Sequence, residues 1–209
     1  METRSEHQAA QAEELCAAME SIHRRGWCEG TGGNFSCVIS RDPVLLLMAP
    51  SGVDKGSVRP GDLIVVDEQC RVREGKGKAS AETKLHLAIV DATEAGAVLH
   101  THSQAATLLS LQQEAVVVEG LEMLKGLEGI TTHACRIEIP VLENDQDLER
   151  LSARAKPLLT QAPHGLLIGG HGLYAWGKDL ATARRHLEIL EFLLEQTWRS
   201  LLLSAIRNQ

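Results

Sequence analysis

Apolar and polar residues recur along the chain with two periods, which divide it into predicted helices and strands. Apolar side chains three or four residues apart are typical of a helix with one buried face, whereas short apolar runs between turn residues are typical of strands. The helical pattern is found at residues 8–25, 80–92, 105–111 and 145–159, and from Asp179 almost to the C-terminus. The strand pattern is found at residues 35–39, 44–49, 63–66, 71–73, 97–102, 137–142 and 166–168.

The order of these elements favours a mixed or antiparallel sheet covered by helices. Several predicted strands follow one another like hairpins, whereas a strictly alternating parallel fold would place a helix between every pair of strands. A length of 209 residues suits one domain, and the chain contains no internal repeat and no low-complexity linker. We therefore predict a single α/β domain spanning residues 1–209.

Charge and cysteine content narrow the environment in which we expect the protein to act. A net charge of −7 disfavours general binding to nucleic acid or to acidic membrane surfaces. The N-terminal segment is polar and acidic, unlike a signal peptide, and no apolar run approaches the roughly 18 residues needed to cross a bilayer. Five cysteines without a CxxC pair argue against a disulfide framework. These features predict a soluble, cytoplasmic protein without a nucleic-acid or membrane partner.

Three histidines lie where predicted strands end, and they are candidate metal ligands. His100 and His102 are two residues apart, so on a strand both imidazoles project from the same face. His171 follows a second apolar strand and is flanked by Gly170 and Gly172, which leave room for the backbone to turn. Three neutral imidazoles would leave coordination positions open, as a catalytic zinc site requires. The first pair is also compatible with ordinary polar residues at a strand end.

Glycine-rich turns indicate a second kind of site, suited to an anion. The segment GTGGN at residues 30–34 has unobstructed backbone N–H groups, with Thr31 and Asn34 as polar partners. A tight turn at Gly52 and the helix predicted to begin at Ser80 add further N–H donors. The pattern is neither a P-loop nor a dinucleotide-binding fingerprint. Together these turns indicate a phosphate cradle, although each alone is more typical of an ordinary turn or helix cap.

In this order, the motifs GTGGNFS, APSG, DLIVVD, SAETKLH, AVLHTHS and GLLIGGHG resemble the class II aldolase and ribulose-phosphate epimerase family, and they cover roughly residues 10–200. The resemblance implies a class II aldolase-like α/β/α sandwich around a central, largely antiparallel sheet. It also implies a homotetramer with active sites near subunit interfaces, and one zinc ion per subunit bound by His100, His102 and His171. The positions that it associates with phosphate binding are Thr31, Asn34, Gly52 and Ser80.

Three further motifs, LEMLKG, IPVLEN and HGLYAWG, are similar to a dehydratase subgroup that acts on a methylthio-substituted ribulose phosphate in methionine salvage. This likeness implies that Glu122, within LEMLKG, is the general acid and base. Glu82 is the competing carboxylate, because aldolases of the family use an acidic residue there beside the metal. Spacing alone would leave Glu122 a solvated loop residue.

The expected function is therefore zinc-dependent dehydration of a phosphorylated ketose. The nearest alternative is an aldolase or epimerase acting on another sugar phosphate. Aldolases of the family commonly use interface tyrosines as proton donors. The single tyrosine here, Tyr174, lies in the strand-like HGLYAWG motif, which weakens that alternative. A more distant alternative is a non-catalytic scaffold that binds partner proteins.

Overall fold

The computed structural model describes residues 4–112, 114–162 and 164–208, which form an α/β fold. Its strands are β1 (Asn34–Arg41), β2 (Val44–Met48), β3 (Ile64–Asp67), β4 (Val72–Glu74), β5 (Ala97–Thr101), β6 (Ala115–Glu119), β7 (Arg136–Leu142), β8 (Gly165–Ile168) and β9 (Gly172–Gly177). Its α-helices are α1 (Arg4–His23), α2 (Thr83–Thr93), α3 (Gln104–Leu109), α4 (Leu148–Leu159) and α5 (Leu180–Arg207).

The strands form one sheet in the order β4–β3–β2–β1–β5–β9–β8–β7–β6. Across the described residues, every neighbouring pair is antiparallel except β7 and β8, which run parallel. Short connections join β1 to β2, β3 to β4 and β8 to β9, so these pairs are hairpins. The predicted largely antiparallel sheet is therefore confirmed.

Helices cover both faces of this sheet, because the strands bury apolar side chains on both sides. On one face, α1, α3 and α5 pack over strand residues that include Leu99 and Ala175. On the other face, α2 and α4 pack over Val98 and Trp176. The resulting α/β/α sandwich is the one that the family resemblance implies. The central strands β5 and β9 lie beneath helices on both sides, which gives any side chains at their ends a rigid support.

Two helices begin later than the sequence pattern predicts. α2 starts at Thr83 rather than at Ser80, because residues 80–82 form a turn in which the Thr83 N–H donates to the Ser80 carbonyl at 3.1 Å. α4 starts at Leu148 rather than at Asp145. The Asp147 side chain accepts hydrogen bonds from the first backbone N–H groups of that helix and caps it there.

The longest helix, α5, begins where the sequence predicts. The Asp179 side chain accepts a hydrogen bond from the Thr182 N–H at 2.7 Å, which satisfies one of the free donors of the first turn. Neither α5 nor any other helix in the described part of the chain combines the length and the apolarity that crossing a bilayer requires.

Candidate active site

The three predicted metal ligands meet at the ends of two neighbouring strands. His100 and His102 come from the end of β5, and His171 comes from the turn between β8 and β9. β5 and β9 are antiparallel with Thr101 opposite Leu173, so that turn lies beside the end of β5. The Nε2 atom of His100 is 2.8 Å from Nε2 of His102 and 3.3 Å from Nε2 of His171.

Backbone contacts hold these histidines in place. His100 Nδ1 donates to the Leu173 carbonyl at 3.0 Å, which leaves the lone pair on Nε2 for a metal. The backbone N–H of His102 donates to the Trp27 carbonyl at 2.7 Å. Gly172 is required beside His171, because a Cβ atom there would lie 2.0 Å from the Thr101 carbonyl oxygen. The close approach of β9 to β5 therefore depends on this glycine.

The protonation of the rings suits metal binding. Burial lowers the pKa of fully buried His100, and burial together with the neighbouring imidazoles lowers the pKa of His102 to about 4. Both rings are therefore neutral near pH 7, as ligands must be. A tetrahedral zinc ion with Zn–N distances of about 2.0–2.1 Å places its ligand nitrogens roughly 3.3 Å apart. The separation between His100 and His171 matches this value, and the separation between His100 and His102 is shorter by 0.5 Å, so the imidazoles are grouped closely enough to hold one divalent metal ion.

Glu82 is the fourth member of the cluster. Its Oε1 atom lies 3.0 Å from His171 Nε2 and 3.5 Å from His100 Nε2, and its Oε2 accepts a hydrogen bond from Asn34 Nδ2. Burial raises the pKa of Glu82, but the adjacent imidazoles of His100 and His171 outweigh this effect and hold the pKa below its usual range. One ligand atom from each of the four residues, Glu82 and the three histidines, lies within 4.8 Å of the others. The cluster therefore suits a metal ion, whose identity the geometry leaves open.

Tyr174 supports the cluster from within the sheet. Its ring stacks on that of His100 with the centroids 3.9 Å apart and an interplanar angle of 13°. Burial, together with the charge of Glu82 and a hydrogen bond to it, raises the pKa of the Tyr174 hydroxyl well above its usual value. This tyrosine is fully enclosed in the core and contacts two members of the cluster.

Three of the predicted phosphate residues, Thr31, Gly52 and Ser80, lie in connections between helices and strands. Thr31 is exposed and has a φ of 69°, a left-handed conformation unusual for a residue with a side chain. The turn containing Gly52 contacts the segment before Ser80 through a hydrogen bond from the Ser51 N–H to the Lys78 carbonyl, at 2.8 Å. The side chain of Ser80 points back to its own turn, where Oγ accepts the Glu82 N–H at 3.3 Å.

Asn34 differs from the other predicted phosphate residues, because it is buried and donates to Glu82. It lies on β1 opposite His100, so the strand pairing brings the amide to the cluster of Glu82 and the histidines. The side chain therefore connects the glycine-rich segment to this cluster. Its part in phosphate binding stays a prediction.

A buried lysine that the sequence pattern does not single out joins two of these loops. Lys55 is only 2% exposed, and its Nζ donates to the carbonyls of Thr31 and Val53, each at 2.9 Å. Burial lowers the pKa of Lys55, and the negative charge of Glu82 is among the groups that raise it. The lysine therefore lies between the glycine-rich segment, the turn at Gly52 and the metal cluster. Its position in a polar turn, GVDKG, is typical of an exposed side chain, so no pattern in the sequence reveals its burial.

Glu122 lies outside the metal cluster. It begins a short 3₁₀ helix, Glu122–Gly126, that packs against α5 through buried Leu124. The Glu122 side chain is 67% exposed, forms an ion pair with Lys125, and lies 3.6 Å from His133 Nδ1. The Lys125 ammonium holds the pKa of this carboxyl below its usual range. The structure thus places Glu82, and not Glu122, in contact with the histidines of the candidate metal site.

Known proteins of similar sequence and structure place these features in a family. A family model described as Class II Aldolase and Adducin N-terminal domain matches residues 13–198. The methylthioribulose-1-phosphate dehydratase of Methylococcus capsulatus is 46% identical over 188 residues, which cover 88% of this chain and 91% of that protein. The protein of the same name from Serratia proteamaculans is 43% identical over 200 residues, covering 93% and 97%.

The fold is also similar to that of a solved aldolase. The L-fuculose-1-phosphate aldolase of Thermus thermophilus superposes with a TM-score of 0.72 at 25% sequence identity, over 99% of this chain and 98% of that one. The resemblance based on sequence motifs is therefore confirmed. The chain belongs to the Class II Aldolase and Adducin N-terminal domain family.

Proposed function

We propose that this protein dehydrates 5-methylthioribulose 1-phosphate to the 2,3-diketo-5-methylthiopentyl 1-phosphate, a step of methionine salvage. The names of relatives that are 46% and 43% identical over nearly the whole chain support this substrate and reaction. The observation that carries the proposal is the convergence of Glu82, His100, His102 and His171 within 4.8 Å. Such a cluster is suited to a reaction in which negative charge develops on a ketone oxygen.

We propose zinc as the metal, one ion per subunit, held by His100, His102 and His171. When bound, a divalent ion there would polarise the ketone at carbon 2 and stabilise the negative charge that forms when the neighbouring proton leaves. Zinc is favoured because three imidazoles with an open coordination position are typical of catalytic zinc sites. The Glu82 carboxylate lies beside the Nε2 atoms of His100 and His171, so it is placed to act as a further ligand.

Glu122 is the proposed proton-transfer group. It would remove the proton from carbon 3 and return a proton to the hydroxyl that departs from carbon 4 as water, after which the enol becomes the diketone. Its solvent-exposed carboxyl on a short helix anchored by Leu124 is compatible with access to a substrate. Glu82 is the alternative, but its carboxylate already contacts Asn34, His100 and His171.

The phosphate of the substrate would lie among the loops that carry Thr31, Gly52 and Ser80, beside Asn34 at the start of β1. Backbone N–H groups in turns bind phosphate without a direct cationic contact. The left-handed backbone at Thr31 and Gly52, and the contact between the Gly52 turn and the Ser80 segment, support this placement. The positive charge of Lys55 behind these loops supports it further.

Turnover of 5-methylthioribulose 1-phosphate by the wild type, Glu122→Gln and Glu82→Gln tests the assignment. We expect Glu122→Gln to retain its zinc and to lose turnover by about 10²–10⁴-fold, the usual contribution of a general acid or base. We expect Glu82→Gln to change the zinc content as well as the rate. Unchanged turnover in Glu122→Gln, together with the loss of turnover in Glu82→Gln at full zinc occupancy, would transfer the proton-transfer role to Glu82.

The alternative function is an aldolase or epimerase reaction on another sugar phosphate, which the structural likeness to an L-fuculose-1-phosphate aldolase favours. Product analysis separates the two reactions, because a dehydratase forms a diketone phosphate and an aldolase forms two shorter fragments. Retro-aldol fragments without the diketone would refute the dehydratase proposal. A zinc-loaded protein that is inert toward every sugar phosphate would instead favour a scaffold.

We also propose that residues 1–209 form one domain and that four copies assemble in the cytoplasm. The family resemblance motivates the tetramer, and the last turns of α5 provide an apolar surface that another copy would cover. The exposed apolar residues there are Leu201, Leu202, Leu203 and Ile206.

A further inference from the structure

A carboxyl group of α5 is buried directly behind the histidine segment of β5. Glu191 is 2% exposed and accepts hydrogen bonds from the hydroxyls of Thr101 and Ser103. Burial raises the pKa of Glu191 to about 7, and the two hydroxyl contacts only partly oppose this effect. A buried carboxyl group costs free energy unless its hydrogen bonds are satisfied, so its position calls for a physical role.

The two residues that contact Glu191 are the ones on either side of His102. Because side chains alternate along a strand, Thr101 points to the α5 face while His100 points to the opposite face, which α2 and α4 cover. Ser103 Oγ accepts the Ala106 N–H at 3.1 Å as the cap of α3, so its hydroxyl hydrogen is free to donate to Glu191. One carboxyl group therefore fixes the end of β5 and the start of α3, and His102 lies between them.

We propose that Glu191 is a positioning residue that holds His102 in the geometry for metal binding and thereby raises metal affinity. Glu191 acts through its hydrogen bonds with Thr101 and Ser103, so it does not need to contact a ligand ring itself. Mutation of the residues that orient metal ligands typically lowers metal affinity by about 10–100-fold. The proposal rests on the metal site of the proposed function, but neither on its substrate nor on its reaction.

Zinc affinity of the folded, metal-free protein tests this proposal. Glu191→Leu fills a similar volume but removes both acceptor oxygens. We expect this variant to bind zinc about 10–100-fold more weakly in chelator competition. Glu191→Gln keeps an acceptor oxygen and should restore most of the affinity. With cobalt in place of zinc, we expect an altered visible absorption spectrum for Glu191→Leu and a near-normal spectrum for Glu191→Gln.

The matched control is Glu195→Leu, one turn further along α5. Glu195 pairs with Arg199 rather than with the β5 segment, so its replacement should leave zinc affinity and the cobalt spectrum unchanged. If Glu191→Leu fails to fold, Thr101→Val removes one of the two donors and should produce a smaller loss of affinity in a folded protein.

The outcomes also separate this proposal from the proposed function. If Glu191→Leu or Thr101→Val folds and binds zinc with the affinity of the wild type, the positioning role is overturned, whatever reaction the enzyme catalyses. Wild-type protein that binds zinc but fails to dehydrate the ketose phosphate would refute the proposed reaction and leave the role of Glu191 intact. A loss of folding stability in the variants with unchanged zinc affinity would show a structural role alone, and the proposal would fail.

Discussion

Lys55 is a buried positive charge close to the loops expected to bind phosphate. Its ammonium group has no room to swing outward, because it donates to the carbonyls of Thr31 and Val53 from a position that is 2% exposed. It therefore acts as a fixed charge behind the cradle and also holds Thr31 in its left-handed conformation. Both effects favour a bound anion more than they favour the chemical step.

We expect Lys55→Met to raise the KM for the phosphorylated ketose by about tenfold, a loss of about 1.4 kcal/mol in binding, with a smaller change in kcat. Inhibition by inorganic phosphate should weaken by a similar factor. The control is Lys76→Met, because Lys76 is an exposed lysine. A lower kcat at constant KM would show that Lys55 serves the reaction rather than phosphate binding.

The candidate metal ligands and Lys55 show which features of single residues a sequence pattern can predict. The convergence of His100 and His102 follows from the two-residue period of a strand, which is a local property, and the structure confirms it. The burial of Lys55 arises because two loops, distant from each other in sequence, close over it. Nothing local distinguishes that lysine from an exposed turn residue.

At the scale of elements, local chemistry decides which predictions fail. β6 is not predicted because Val117 adds an apolar residue on its exposed side, which hides the alternation of buried Val116 and Val118. Ser80 resembles a helix cap, yet its hydroxyl accepts the Glu82 N–H within a preceding turn, so α2 begins three residues later. The motifs nevertheless imply the sandwich and its antiparallel sheet, because a resemblance to a family reflects the whole fold rather than local propensity.

The buried Glu191 of helix α5 predicts how the stability of the protein depends on pH. The pKa of Glu191 rises from 4.5 to about 7 on folding, so the folded protein holds its proton where the unfolded chain has lost it. The stability that this proton provides is complete below pH 4.5 and is lost as pH rises through 7. Glu191 borders a cavity whose other charged lining residues are Arg25, Glu188 and Glu195.

We therefore expect the metal-free wild type to lose about 3 kcal/mol of stability between roughly pH 4.5 and pH 8 relative to Glu191→Gln, at about 1.4 kcal/mol for each unit of pKa shift. Urea unfolding of both proteins at several pH values measures this difference, and the neighbouring charges cancel because they are common to both. Parallel stability curves for the two proteins would show that Glu191 does not titrate differently in the folded state.

For the whole molecule, we expect the last turns of α5 to mediate the association of copies. Leu203 is 56% exposed and Ile206 is 68% exposed, and clustered apolar residues of this kind are typical of interfaces between subunits. We expect light scattering to give four times the mass of one chain, and the double variant Leu203→Glu with Ile206→Glu to give a smaller species. Ser200→Glu adds a charge at an exposed polar position of the same helix and should leave the assembly intact.

If active sites lie near subunit interfaces, the dissociated variant should lose turnover. It should nevertheless retain its zinc, because the histidines come from one chain. Full activity in a stable monomer would instead show that each chain carries a complete active site.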